Sequence, residues 1–302
     1  MINYYLSVIF EKIIINIGYL FKNQLKIRSI DTPIFIVSAG RSGSTLLRKL
    51  LMQTGYFNIP PESGDFLPAA AKIYIRNMFK PWKIKRDKIL RLIKSTPELK
   101  IWNLNMENIQ NAYESISPEN RNLGNMIYLL YKQYTEENNL SDYLFWGDKT
   151  PYLIYRLTWI KLIFPNAKII HIVRDPRAVV VSRHRELGDS VDYAIKRWNW
   201  AIKCISKAKN TQNIMEVKFE DLIMSTDLTI SKILRHIDEY LTYKKKITKV
   251  ILGDDHLKHH RNLDKPILKY KIKEWEDFLS KEEKEYIEQM LSFEMRNYGY
   301  KI

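Results

Sequence analysis

The sequence is nearly devoid of cysteine. Its 302 residues include a single one, Cys204, which excludes an intramolecular disulfide framework and a cysteine-based zinc site. The six histidines form no HExxH pattern, and His259 and His260 are adjacent, so they do not share one helix face. We therefore expect no metal centre. The scarcity of cysteine also favours the reducing cytoplasm as the location of the protein.

A long uninterrupted hydrophobic run is also missing. Residues 2–21 are largely apolar, but Glu11 and Lys12 interrupt them, so no run reaches the roughly 20 residues of a spanning helix. No basic segment precedes this stretch and no cleavage signal follows it, which argues against a signal peptide. We predict one N-terminal helix within residues 1–30, which either packs on the protein's own core or lies on a membrane surface through residues 1–28. The basic residues that would flank its apolar side are Lys12, Lys22, Lys26 and Arg28.

Acidic residues are outnumbered by basic ones. The 49 Lys and Arg against 34 Asp and Glu give a formal net charge of +15, and such a charge concentrates anions around a protein. Nucleic acid, an anionic membrane, a phosphorylated nucleotide and an acidic glycan are candidate partners. A biased composition, rich in Ile, Lys, Asn and Tyr, explains the total charge equally well, so the placement of particular charges is more informative.

Strand-like and helix-like segments alternate along the chain. A short, continuous β-branched run predicts a strand at Ile34–Val37, and further strands are predicted at Lys168–Val173 and Met215–Phe219. Asp175 and Pro176 are typical of a helix start, with an N-cap followed by proline in the first turn. Alternation of this kind predicts an α/β fold with a parallel sheet. Further helices are predicted at Ser44–Gln53, Leu153–Phe164, Asp192–Lys209 and Asp227–Tyr240 and near Lys281–Leu291, and a loop at Leu263–Tyr270.

Residues 69–145 are basic and aromatic, and we predict that they form a helical insertion broken at Pro81, Pro97 and Pro118. The rest of residues 31–302 is predicted to form one domain. The aromatic side chains of the insertion suit either a sugar-stacking surface or a core. They are Tyr74, Phe79, Trp82, Trp102 and Tyr113.

A glycine- and serine-rich turn follows the first strand and leads into a helix. Its glycines allow the backbone N–H groups to converge, and the helix directs its positive end to the same point, so the turn predicts a phosphate site. It lacks the lysine that a Walker A loop carries after its last glycine, because Ser44 stands there, which disfavours a kinase or a general ATPase. The predicted phosphate-binding residues are Gly40, Arg41, Ser42, Gly43, Ser44 and Thr45.

Two motifs together resemble the PAPS-dependent sulfotransferases, most of all the branch of carbohydrate and tyrosylprotein sulfotransferases. Residues 41–47 (RSGSTLL) resemble the family's 5′-phosphosulfate loop, and residues 174–182 (RDPRAVVVS) resemble its 3′-phosphate motif. The segments at 148–151 (DKTP), 164–168 (FPNAK) and 217–222 (VKFEDL) are also similar to the family and occur in the same order.

The resemblance implies a P-loop-like three-layer core and the donor 3′-phosphoadenosine 5′-phosphosulfate (PAPS, which leaves as PAP), without a metal. It assigns Arg174 and Ser182 to the 3′-phosphate. The residues themselves agree, since an arginine at a strand end and a serine two helical turns later can share one phosphate. Asp175 is interpreted as a helix cap.

Catalysis of sulfuryl transfer needs cations and a proton acceptor. Arg41 is the first candidate cation. Lys149 is the second, because it matches a lysine of the tyrosylprotein branch, although a surface lysine paired to Asp148 is the alternative. Glu62 lies 21 residues after Arg41, where that branch places its catalytic base. Asp65 is the substitute for Glu62, and His171, within a strand, is interpreted as a core residue.

The chain departs from the family pattern late in the sequence. Glu186 stands where relatives often have a basic residue, and either Arg183 or Arg185 is a candidate to replace it. Lys273 resembles the basic residue of the late cofactor-covering element, with Arg261 as the other candidate.

We therefore predict a sulfotransferase that modifies a hydroxyl of a glycan or glycolipid, with a peptidyl tyrosine as the alternative acceptor. A basic binding protein with a degenerate phosphate loop, acting for example on nucleic acid, is the alternative of another class. It is disfavoured because two ordered nucleotide-type motifs are present and no RNA-module signature is found.

Overall fold

Five strands form one sheet in the computed structural model of the chain, which describes residues 2–28, 32–138, 140, 143–244 and 272–302. The strand order is β2-β3-β1-β4-β5. The β2 and β3 strands pair in parallel, as do β4 and β5, which gives a five-stranded parallel sheet. The strands are β1 (Ile34–Val37), β2 (Phe57–Asn58), β3 (Phe145–Lys149), β4 (Lys168–Val173) and β5 (Asn213–Lys218).

The predicted strands Ile34–Val37 and Lys168–Val173 are confirmed with the same bounds. All four residues of β1 are buried, as expected of a β-branched run in a parallel sheet. The prediction for the third strand lies slightly too late, because β5 ends at Lys218 and Phe219 begins a helix. The sequence does not predict the β2 strand, because a strand of two residues is too short to show an alternation of apolar and polar residues.

The chain divides into two compact units, and unit 1 comprises the described residues of 1–34, 56–150 and 156–167. The prolines at which the insertion is predicted to break do mark helix boundaries. Pro81 precedes a helix, whereas Pro97 and Pro118 each open a short 3-10 turn. The helices of unit 1 are α1 (Ile2–Leu20), α2 (Lys22–Leu25), α4 (Phe66–Arg76), α5 (Trp82–Ser95), α6 (Met106–Glu114), α7 (Leu123–Glu137) and α8 (Leu157–Ile163).

Most aromatic residues of the insertion belong to the core of unit 1. Tyr74, Trp102 and Tyr113 are fully buried, and the Trp102 ring centroid lies 5.0 Å from that of Tyr131. These three side chains therefore do not form a sugar-stacking surface. Phe79 is different, because its side chain is 80% exposed.

Unit 2 comprises the described residues of 35–55, 151–155 and 168–302. Asp175 caps a helix as predicted, because its side chain accepts a hydrogen bond from the Arg177 N–H and Pro176 is the first helical residue. The helices of unit 2 are α3 (Ser44–Met52), α9 (Pro176–Leu187), α10 (Val191–Ala208), α11 (Phe219–Met224), α12 (Thr226–Ile237) and α13 (Lys281–Asn297).

The predicted helix Leu153–Phe164 is wrong in its first third. Residues Pro151–Arg156 form a 3-10 helix, and α8 begins only at Leu157. Arg156 has φ −128°, which is outside the helical range and separates the two segments. The predicted loop at Leu263–Tyr270 lies outside the described residues, and the predicted domain boundaries stay a prediction.

A helix that crosses a bilayer needs both length and apolarity. Among the helices of the described residues, none combines the two to the degree that such a crossing requires.

Gly147 in β3 permits close contact with the neighbouring β1 strand. A Cβ at this position would lie 2.3 Å from the carbonyl oxygen of Ile34, and a main-chain atom of a buried strand cannot move aside cheaply. We expect Gly147→Ala to lower the free energy of unfolding by about 3 kcal/mol, measured by urea denaturation.

Gly188→Ala provides the matched control. Gly188 has φ +70°, but nothing lies within 4 Å of the place that a Cβ would take, so this substitution costs only the left-handed backbone strain of about 1 kcal/mol. An equal or smaller loss for Gly147→Ala would contradict the close contact of the strands.

Candidate active site

The turn after β1 is a left-handed loop that runs into the N-terminus of α3. Three of its residues have positive φ, namely Gly40 (83°), Arg41 (56°) and Gly43 (90°). The Ser38 hydroxyl accepts a hydrogen bond from the Gly40 N–H at 3.1 Å, which holds the turn closed. Ser44 and Thr45, the first residues of α3, are buried. The loop therefore has the backbone shape of an anion site at a helix N-terminus.

Gly43 is required for two reasons. Its φ of 90° suits glycine, and a Cβ there would lie 2.3 Å from the ring of Phe219 at the start of α11. The Phe219 ring also lies 4.5 Å below the Arg174 guanidinium. Phe219 thus supports both the loop and the arginine, a role that neither sequence motif indicates.

The structure brings the predicted residues Arg41, Arg174 and Ser182 together. Arg41 Nε donates a hydrogen bond to Ser182 Oγ at 3.1 Å, and Arg174 Nη1 donates to the Arg41 carbonyl oxygen at 3.3 Å. The main chain of Arg174 is fixed by Trp198, whose Nε1 donates to the Arg174 carbonyl oxygen at 3.0 Å. Two strand ends far apart in sequence therefore meet at one loop, as the two motifs predict.

Arg174 remains a cation in this setting. Burial lowers the pKa of its guanidinium, while the nearby Glu220 carboxylate acts in the opposite direction. Because an arginine side chain is not deprotonated in proteins, Arg174 stays charged at neutral pH.

Arg183 and Arg185 occupy different places. Arg183 Nη1 donates to the Ala39 carbonyl oxygen at 3.4 Å, and its Nη2 pairs with Asp189 at 2.5 Å. Arg185 instead contacts Glu274 at 3.2 Å and lies 4.4 Å over the Phe278 ring. Of the two, Arg183 is the one that lies at the phosphate loop.

Lys273, the basic residue predicted to cover the cofactor, lies at the protein surface. The Lys273 side chain is 73% exposed and pairs with Glu276 at 3.2 Å, whereas Trp275 is buried beneath the Arg177 guanidinium at 3.9 Å. Cofactor binding by Lys273 stays a prediction, and Arg261 lies outside the described residues.

A second cluster, in unit 1, joins Glu62 and Lys149. The Lys149 side chain is completely buried at the end of β3, and its Nζ lies 2.5 Å from Glu62 Oε1. A surface lysine paired to Asp148 is therefore the wrong interpretation. The Glu62 side chain is 28% exposed, so it combines a fixed pose with access from solvent.

Buried polar groups surround this pair. The Tyr131 hydroxyl donates a hydrogen bond to Asp148 Oδ2, and the Ser63 N–H donates to Thr150 Oγ1 at 3.0 Å. Burial raises the pKa of Asp148, although hydrogen bonds from Ser63 and Tyr131 oppose the change. The two neighbours of Lys149 and the residue after Glu62 are thereby held in place, by a network that sequence spacing alone does not reveal.

The remaining candidates have other surroundings. Asp65 is exposed just before α4, His171 is buried in β4 with its Nδ1 3.2 Å from Glu216 Oε1, and Asp175 forms an ion pair with Arg177 at 2.7 Å. His171 is thus a core residue, as interpreted. Within the ranges that the structure describes, no group of three or more His, Cys, Asp or Glu residues could hold a metal ion.

Comparison with known proteins identifies the family. The sequence model described as the Sulfotransferase family matches residues 33–242, which is well over half of the chain. The protein therefore belongs to the sulfotransferase family, and it is an enzyme of that class. No curated protein is significantly similar to the chain.

Two solved structures share the fold. The sulfotransferase domain of the olefin synthase from Synechococcus PCC 7002 is 21% identical, with a TM-score of 0.58, over 89% of this chain and 98% of that one. The sulfotransferase domain from the curacin biosynthetic pathway is 19% identical, with a TM-score of 0.53, over 90% and 99%. The predicted P-loop-like α/β class is confirmed. The carbohydrate and tyrosylprotein branch stays a prediction.

The donor of this family is PAPS, and the residues around the loop suit it chemically. The converging groups of unit 2 are two guanidinium groups, the Ser182 hydroxyl and a loop at a helix N-terminus, all of them suited to phosphate and sulfate oxygens. Because the chain belongs to the sulfotransferase family, the kinase and the nucleic-acid-binding protein are no longer needed as alternatives.

Replacing Arg174 tests the assignment of the 3′-phosphate. We expect Arg174→Ala to weaken PAP binding about tenfold to 100-fold, because a hydrogen bond to a charged group contributes about 1.5–3 kcal/mol. Isothermal titration calorimetry with PAP measures the change. Arg185→Ala is the matched control, since Arg185 contacts Glu274 and Phe278 instead of the loop. If both variants bind PAP with the same affinity, Arg174 has a structural role and does not bind the 3′-phosphate.

Proposed function

We propose that the enzyme transfers the sulfuryl group of PAPS to a hydroxyl of a glycan or glycolipid, with Glu62 as the general base. The observation that carries this proposal is the pairing of Glu62 with the fully buried Lys149 at 2.5 Å. A buried ammonium group requires a counter-charge. The pairing therefore holds the Glu62 carboxylate in one position, from which it can accept a proton.

The residues of unit 2 bind the donor. The N–H groups of residues 40–45, the Arg41 guanidinium and the hydroxyls of Ser44 and Thr45 are assigned to the 5′-phosphosulfate. Arg174 and Ser182 are assigned to the 3′-phosphate, and their contacts with Arg41 support this division. When bound, PAPS supplies the sulfuryl group and a phosphate leaving group.

Proton transfer to Glu62 also changes the charge balance at Lys149. While Glu62 is ionised, the two charges compensate each other. Once the carboxylate has accepted the proton of the acceptor hydroxyl, its negative charge no longer offsets the positive charge of the buried Lys149. That charge then favours the negative charge that develops during the transfer.

The acceptor class is supported by charge. A net charge of +15 attracts acidic glycans and anionic glycolipids, whereas the buried Tyr74, Trp102 and Tyr113 contribute nothing to sugar stacking. A peptidyl tyrosine is the second candidate, because the spacing of Glu62 and Lys149 resembles the tyrosylprotein branch.

We place the enzyme in the cytoplasm, where its single cysteine stays reduced.

Radiolabelled PAPS distinguishes the acceptors. The enzyme is incubated separately with acidic glycans, glycolipid extracts and tyrosine peptides, and mass spectrometry locates the added SO₃. Label on a sugar hydroxyl supports the proposal, whereas label on tyrosine alone replaces it with the second candidate.

Removing the carboxylate tests the base. We expect Glu62→Gln to lower kcat about 100-fold to 10,000-fold, because an amide cannot accept the proton. The affinity for PAP should stay close to that of the unmodified enzyme. Asp65→Asn is the control and should keep its activity. A Glu62→Gln variant with nearly normal turnover would mean that another group is the base.

A further inference from the structure

The inner side of α1 is packed tightly against unit 1. Ile14 is buried, and a Cβ on Gly18 would lie 2.6 Å from the Leu162 side chain and 3.1 Å from that of Ile75. Glu11 also faces this side, because it accepts a hydrogen bond from Trp159 Nε1 at 3.1 Å and pairs with Lys72 at 3.2 Å. The helix is therefore fixed to the protein along this side.

The opposite side of α1 is apolar and exposed. Ile9, Ile13 and Leu20 are 54%, 50% and 80% exposed. Their spacing of four and seven residues places them on one helix face, over a length of about 16 Å. A folded protein exposes such a row only at a cost in apolar hydration, and contiguous exposed patches generally mark interaction sites.

Two aromatic contacts extend this row to the last residue of α4 and to the turn that follows it. The Phe21 and Phe79 rings meet edge to face at 5.5 Å, and the Arg76 guanidinium lies 5.0 Å over the Phe10 ring. Phe10 is 48% exposed and Phe79 80%. We call the surface formed by Ile9, Phe10, Ile13, Leu20 and Phe79 the α1 face.

The exposed charged side chains of the two segments that form the α1 face have one sign. Glu11 is the only carboxylate in residues 9–28, and residues 76–85 contain none. Since Glu11 is engaged on the inner side, the charged side chains at the exposed surface of these two segments are basic. Those classed as exposed are Lys12, Lys22, Lys26, Arg28, Arg76, Lys80 and Lys83.

We propose that the α1 face docks on an anionic lipid bilayer, with α1 lying in the membrane plane. Exposed aliphatic and aromatic side chains would enter the boundary between headgroups and acyl chains, as interfacial helices do. The surrounding lysines and arginines would contact anionic headgroups, each strengthening binding about fivefold. A protein partner of neutral or basic surface would not match this charge. The docking does not depend on which acceptor the enzyme uses.

Sedimentation with vesicles tests the proposal on the full chain. We expect binding to phosphatidylcholine vesicles that contain phosphatidylglycerol and about tenfold weaker binding to phosphatidylcholine alone. The double variant Ile13→Glu with Leu20→Glu should lose binding about tenfold or more. The matched control is Leu228→Glu with Phe293→Glu, which adds the same charges at exposed apolar residues of α12 and α13 and should keep most of the binding.

Two further measurements distinguish a loss of membrane binding from a loss of folding. Unchanged PAP affinity shows that a variant is folded, and Leu20→Ser, at a highly exposed position, provides a mild second variant that should weaken binding severalfold. The proposal is overturned if the unmodified protein ignores anionic vesicles or if the α1-face and control variants bind alike. It is also overturned if size-exclusion chromatography shows a dimer that Ile13→Glu with Leu20→Glu dissociates, because a second copy then covers the face.

Discussion

The burial of the Lys149 ammonium group is the constraint on which the cluster of Glu62 and Lys149 depends. A cation that is completely removed from water must be paired, and Glu62 provides the negative charge at 2.5 Å. The pairing fixes a loop carboxylate that would otherwise sample many rotamers. The pairing does not shield that carboxylate fully, since 28% of its side chain stays exposed. The same contact thus pairs the buried cation and leaves the carboxylate partly accessible.

Much of the fold could be predicted because its signals are local. The runs at Ile34–Val37 and Lys168–Val173 have the length and β-branched character of strands buried in a parallel sheet. The Asp175–Pro176 pair marks a helix start through capping chemistry that involves only neighbouring residues. The convergence of Arg41, Arg174 and Ser182 was also predictable, because the carboxyl ends of parallel strands lie at one edge of a sheet.

The rest depends on contacts between residues distant in sequence. Nothing local distinguishes Arg183 from Arg185, yet one lies at the loop and the other against Glu274 and Phe278. The Tyr131–Asp148 hydrogen bond joins a helix of the insertion to a strand end, so no spacing rule indicates it. The burial of Trp102 and Tyr113 likewise follows from packing, because an aromatic residue on a helix suits a core and a ligand surface equally well.

The contact between Gly43 and Phe219 has a consequence for sequence variation in this protein. The ring occupies the space in which any side chain at position 43 would have to stand, and the same ring lies beneath the Arg174 guanidinium. A residue with a side chain at 43 would therefore require a smaller residue at 219, and it would still strain the left-handed backbone of position 43. The smaller residue at 219 would also remove the ring that lies under the Arg174 guanidinium. The two positions are expected to change together or not at all, so redesign of this loop has to begin at the helix that follows the last strand.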